Sequence, residues 1–102
     1  MKECCRTYLD EQFGGDADVM AEIYGEYVSS VREKIAEAGA VLASGDWTTL
    51  DRVAHTVKGN ALAAGDAEMA ETAITLRKAA ALKDSDQSSS LIAKMDELSK
   101  GL

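Results

Sequence analysis

The chain has 102 residues and no proline, with 46% hydrophobic, 28% charged and 5% aromatic residues and a formal net charge of -7. That length suits a single domain spanning 1–102 and excludes two, and the absence of proline beside plentiful Ala, Glu, Lys, Leu and Met argues against an all-β fold. The acidic balance speaks against nucleic acid or an anionic membrane as the main partner, since both select clustered Lys and Arg, and leaves a protein or small ligand.

Glycines punctuate the predicted elements. Residues 2 to 13 suit a short helix with Cys5, Tyr8, Leu9 and Phe13 near one face, closed by Gly14 and Gly15. Asp16 or Asp18 can cap the next helix, whose apolar series Met20, Ile23, Tyr27, Val31, Ile35, Ala38, Leu42 recurs every three or four residues up to Ser44 and Gly45. Gly25 and Gly39 inside it point either to close packing or a bend, or to tolerated surface positions.

Asp46 caps a third helix, with Leu50, Val53, Ala54, Val57, Ala61 and Ala64 on a narrow buried face ending at Gly65. Asp66 caps a fourth, with Met69, Ala73, Leu76 and Ala80 inward, and the two-residue turn makes these helices antiparallel. Lys83 to Ser90 is polar and low in helix propensity, so it reads as a loop that frays into a last helix carrying Leu91, Met95, Leu98 and Leu102. Together these elements predict an all-α, antiparallel up-down four-helix bundle with an additional short N-terminal helix. The small inward residues imply close helix approach. Stripes this short and alanine-rich do not sustain a heptad coiled coil, so a monomer is expected.

No apolar run approaches the roughly 20 residues that span a bilayer, and the start Met1-Lys2-Glu3-Cys4 has no signal core, so a soluble, cytoplasmic chain is expected. Cys4 and Cys5 are adjacent and read as buried or half-buried thiols of a reducing compartment without assigned chemistry.

The lone histidine, His55, lies on the third helix. At about 100° per residue, centring the buried face on Val57 puts Val53, Ala54 and Ala61 within about 60° and His55 about 160° away, facing outward. A mid-helix histidine is more often an ordinary polar surface residue, but its neighbours alter that reading. Lys58 at i+3 and Gly59 at i+4 flank the imidazole, one able to reach an anionic group at the ring and the other leaving space beside it. An interior glycine costs about 1 kcal/mol of helix stability, and access for a bulky partner is a physical reason for it, with a harmless glycine as the alternative.

The string AHTVKGNALAAG at residues 54 to 65, with His, Lys at plus three, Gly at plus four and Gly at plus ten, resembles the core motif of histidine-containing phosphotransfer domains of two-component phosphorelays. The resemblance runs from YLDEQFGG at residues 8 to 15 through the fourth helix. It implies that His55 is phosphorylated on its outer ring nitrogen by the aspartyl phosphate of a receiver domain and hands the group to another receiver. It further implies that Lys58 stabilises the phosphoryl group, that Gly59 gives access to the imidazole and that Gly65 ends the helix. The implied partners are receiver domains of response regulators or hybrid histidine kinases. Asn60 stands where the family often has serine or alanine, and Ala64 where a larger aliphatic is common; both bear on packing or partner choice rather than on the phosphoacceptor.

The chemistry of the residues agrees with those roles. Imidazole with its ordinary pKa near 6.5 is largely neutral and nucleophilic at cytoplasmic pH, and phosphoryl transfer needs chiefly positioning and charge neutralisation. No carboxylate cluster near His55 forms a metal site, so no cofactor is expected on this chain and magnesium must come with the partner receiver. Asp51 alone, one turn earlier, reads as a solvated residue or a pair for a nearby Arg or Lys. Thr48, Asp51, Arg52, Thr56 and Leu62 form the candidate receiver footprint, Leu62 being either an interface anchor or a partly buried core residue. Without a Gly-rich nucleotide loop, the expected activity is that of a phosphocarrier with no ATP-dependent kinase activity. The rival reading is a helical docking module that binds a receiver or kinase without accepting phosphate; a general-base enzyme lacks a nearby nucleophile or paired carboxylate.

Overall fold

Five helices and no strands make up residues 1–102 of the computed structural model: α1 (Glu3–Phe13), α2 (Ala17–Ala43), α3 (Trp47–Ala64), α4 (Ala67–Ala81) and α5 (Ser85–Lys100). Aspartate starts each helix after the first. The carboxylates of Asp16, Asp46, Asp66 and Asp84 accept hydrogen bonds from the backbone N–H groups of Val19, Thr49, Met69 and Gln87 at 3.0–3.3 Å, satisfying donors that a helix start leaves free. Of the two expected caps for α2, Asp16 is the one used. The Thr49 hydroxyl and backbone N–H together hold the Asp46 carboxyl below the usual carboxylate range.

Each of α2 to α5 packs on its neighbours in chain order, and α5 returns to α2, which closes an up-down four-helix bundle. At about 1.5 Å per residue, the 27 residues of α2 span about 40 Å, and they set the 43 Å length of the molecule. Val31, Leu50, Val57, Met69, Leu76 and Met95 fill the centre. Between α3 and α4 the buried positions are largely alanine, among them Ala54, Ala61, Ala70, Ala73 and Ala80, as the narrow apolar stripes predict. No helix is long and apolar enough to cross a membrane.

Two expectations change, and one open alternative is decided. The segment 83 to 90 is not a loop, because α5 already begins at Ser85 and only Leu82 to Asp84 turn. The Asp84 cap and the packing of Ser88, Leu91, Ile92 and Met95 outweigh the weak helix propensity of the serines. Phe13 and Cys4 are exposed rather than packed, since only Cys5 and Leu9 of α1 point fully inward and Tyr8 is half-buried. Gly25 and Gly39 sit on open surface, where an added Cβ would meet nothing within 4 Å, so close packing does not account for them.

α1 is fastened at the turn between α3 and α4. Asp66 is fully buried and accepts hydrogen bonds from Lys2 Nζ at 2.9 Å and Tyr27 Oη at 2.7 Å besides its cap bond. A carboxylate out of water requires such partners. Gly65 has a φ of +76°, and a Cβ there would fall inside the Tyr8 side chain, so this glycine serves both the left-handed helix end and the seat of α1.

Candidate functional site

α3 presents one continuous exposed stripe. Taking about 100° per residue from His55, the positions Thr48, Asp51, Arg52, Lys58, Gly59 and Leu62 all fall within about 60° of it, whereas Thr56 lies about 100° round the helix. His55, Thr48, Arg52 and Gly59 are exposed, and Leu62 is 54% exposed, which rules out the core alternative for that leucine. Thr56 is half-buried and its hydroxyl donates to the Arg52 carbonyl at 3.2 Å, so it borders the stripe rather than belonging to it. Val53, Ala54, Val57 and Ala61 are buried on the opposite side, and that burial turns the imidazole outward.

On the flank toward α4, Asp51, Lys58, Ile74, Arg77, Lys78 and Ala81 line an open recess of about 430 Å³. Asp51 is the ion-pair residue that its position allowed: its Oδ1 lies 2.9 Å from Arg77 Nε. Arg77 also reaches His55, with Nη1 at 3.1 Å from Nδ1. The Nδ1 side of the ring is thereby engaged from α4. Lys58 and Arg52 pair with no carboxylate of the chain. Within a chain of net charge -7, the recess beside His55 therefore carries Lys58, Arg77 and Lys78 against Asp51, a local excess of cations suited to a phosphoryl-sized anion.

A Cβ at Gly59 would meet nothing within 4 Å, so no side chain of this protein fills the space beside the ring. On the flank toward α2, Asn60 Nδ2 donates to Ser30 Oγ at 2.9 Å, and Ala64 is buried. Both of these motif departures thus act in packing. Arg77 is the neighbour of His55 that sequence reasoning missed, and the hairpin held its signal: equal steps back from Gly65 and forward from Asp66 bring His55 level with Leu76, beside Arg77. A larger recess of about 550 Å³ opens between α1 and α2, lined by residues such as Arg6, Asp10 and Met20, but it lies away from His55 and size alone marks no chemistry.

The sequence profile of the Hpt domain family matches residues 22–101, from within α2 to the end of α5. The match takes in the final helix and begins after α1, so residues 8 to 15 lie outside it. No curated protein and no solved structure matches the chain.

Proposed function

The chain belongs to the Hpt domain family, which serves phosphotransfer in two-component signalling, and we propose that it relays a phosphoryl group between receiver-domain aspartates through Nε2 of His55. Members of this family are phosphocarriers rather than kinases and meet receiver and kinase domains in phosphorelays. The observation that carries the reading is the single histidine of the chain held outward at mid-helix beside Lys58, with open space over Gly59.

The reaction balances simply. The Nε2 lone pair attacks phosphorus, the P–O bond of the acyl phosphate breaks, and its electron pair leaves on the receiver's carboxylate; the ring then loses its remaining proton to solvent. The return step reverses this toward a second aspartate. Lys58 offsets negative charge spread over the phosphoryl oxygens, and the receiver brings magnesium for the rest. Thr48, Arg52 and Leu62 are the footprint that meets the receiver, with Thr56 at its edge and Asp51 acting through Arg77. Leu62 supplies the apolar anchor, and Leu62→Ala is expected to slow transfer at limiting receiver while leaving the melting temperature nearly unchanged.

Mixing the protein with a phosphorylated receiver and following acid-labile phosphate tests the reading. Label on the wild type that is lost in His55→Gln is the expected result. Receiver binding without label on the wild type would leave a docking module in its place, and label that survives His55→Gln would move the site elsewhere.

A further inference from the structure

Arg77 has no part in attack by a free imidazole, and its geometry conflicts with that step. A guanidinium carries N–H donors and no acceptor, so the 3.1 Å contact requires Nδ1 of His55 to present its lone pair. A neutral ring with a bare Nδ1 holds its proton on Nε2, and a protonated Nε2 cannot attack phosphorus. The same hydrogen bond suits another species. Once Nε2 is bonded to phosphorus and the ring is neutral, Nδ1 is bare by valence and Arg77 finds its acceptor in every such molecule.

Resting on the phosphocarrier reading, we infer that Arg77, braced by Asp51, is a positioning residue that latches onto Nδ1 of Nε2-phosphorylated His55 and keeps a proton off that nitrogen. The consequence is a longer-lived phosphohistidine. An imidazole leaves phosphorus readily when Nδ1 bears a proton and poorly as the bare anion, so whatever occupies the Nδ1 lone pair governs loss of the group to water. Loading runs through the opposite tautomer: Nδ1–H is present, Nε2 attacks, and Arg77 stands aside. When the Nδ1 proton has passed to solvent, the guanidinium closes on the freed lone pair.

The bracing makes such a swing short. Arg77 Nε stays 2.9 Å from Asp51 Oδ1, one turn before His55, and both side chains are partly exposed, so Nη1 can leave the ring without losing its carboxylate anchor. The charged groups of the recess beside the ring are Asp51 and Lys58 on α3 and Arg77 and Lys78 on α4; Arg52, one turn before His55, bears on the Asp46 carboxylate, and α2 meets α3 through Ser30 and Asn60 on the other flank. In the adjoining recess Lys58, Arg77 and Lys78 outnumber Asp51, and this excess also opposes a further positive charge on the phosphorylated ring.

Wild type and Arg77→Ala, each phosphorylated with phosphoramidate and freed of the donor, give the test. Two quantities are followed: protonation of the phosphorylated ring against pH by nitrogen NMR, and decay of phosphohistidine at mildly acidic pH. The latch requires ring protonation about one pH unit lower in the wild type, a tenfold difference in protonated fraction, and a half-life about tenfold longer. Equality of either quantity in the two proteins overturns the latch while leaving His55 as phosphoacceptor. Failure of both proteins to take up phosphate at His55 overturns the phosphocarrier reading itself, and the latch with it.

Discussion

The α3–α4 hairpin carries two charged clusters arranged in opposite ways. At its turn, Asp66 is fully buried, bonded by Lys2, Tyr27 and Met69, and covered where Tyr8 lies against Gly65. Midway along it, His55 is exposed, Lys58 has no carboxylate partner, and the space beside Gly59 is empty. In the first cluster both Asp66 carboxylate oxygens are bonded within the chain, and the cluster holds α1 to the bundle. The second keeps capacity in reserve for a group that arrives from outside. Saturated polar groups in a dry setting serve stability, and unsaturated ones in an open setting serve transfer.

The largest expected contrast lies in the charges themselves. Asp66→Ala leaves Lys2 and Tyr27 facing an empty site and is expected to cost about 3–5 kcal/mol in urea unfolding, the range for breaking a buried pair. His55→Gln, on the open face, should stay within about 0.5 kcal/mol of wild type in the same experiment. Equal losses would erase the distinction between the clusters.

The glycines sharpen it with opposite signs. Gly65→Ala forces a Cβ into Tyr8 and a left-handed backbone on alanine, with an expected loss of about 2–3 kcal/mol. Gly59→Ala meets only open space and should stabilise the protein by up to about 1 kcal/mol while slowing phosphoryl transfer. Gly25→Ala and Gly39→Ala are the controls, because they share the open surroundings and the expected gain in stability but lie on α2, and so should leave transfer unchanged.

A smaller effect comes from pH. Burial pushes the Cys5 thiol up to about 12, with Cys4 and Asp66 adding to it. Burial and the hydrogen bond to Asp66 raise the Tyr27 phenol, and for Lys2 the bond to Asp66 and its charge outweigh burial and raise the ammonium as well. All three folded-state values lie above the unfolded ones. The unfolded chain therefore releases these protons first as pH rises, and stability should hold up to about pH 9 and decline beyond it. Denaturation midpoints across that range check this, and Tyr27→Phe should flatten the decline.

Much of the outward face was legible because a helix transmits periodicity directly: burial of Val53, Ala54, Val57 and Ala61 turns His55, Lys58 and Gly59 outward. The aspartate caps of α2, α3 and α4 were legible for the same local reason. Arg77 and the Lys2–Asp66–Tyr27 cluster were not, since they join residues 22, 64 and 39 positions apart and depend on how helices pack rather than on how one helix repeats. The start of α5 was misread because its serines were weighed by propensity, whereas Asp84 and the buried face of the bundle decide that segment.

A relay of three components tests the central claim most directly: a phosphorylated donor receiver, this protein, and an unphosphorylated acceptor receiver, with phosphate followed on each over time. Phosphohistidine that rises and falls on the wild type ahead of label on the acceptor, with neither event in a folded His55→Gln protein, is the result this account predicts. Label that reaches the acceptor at the same rate through His55→Gln would contradict it.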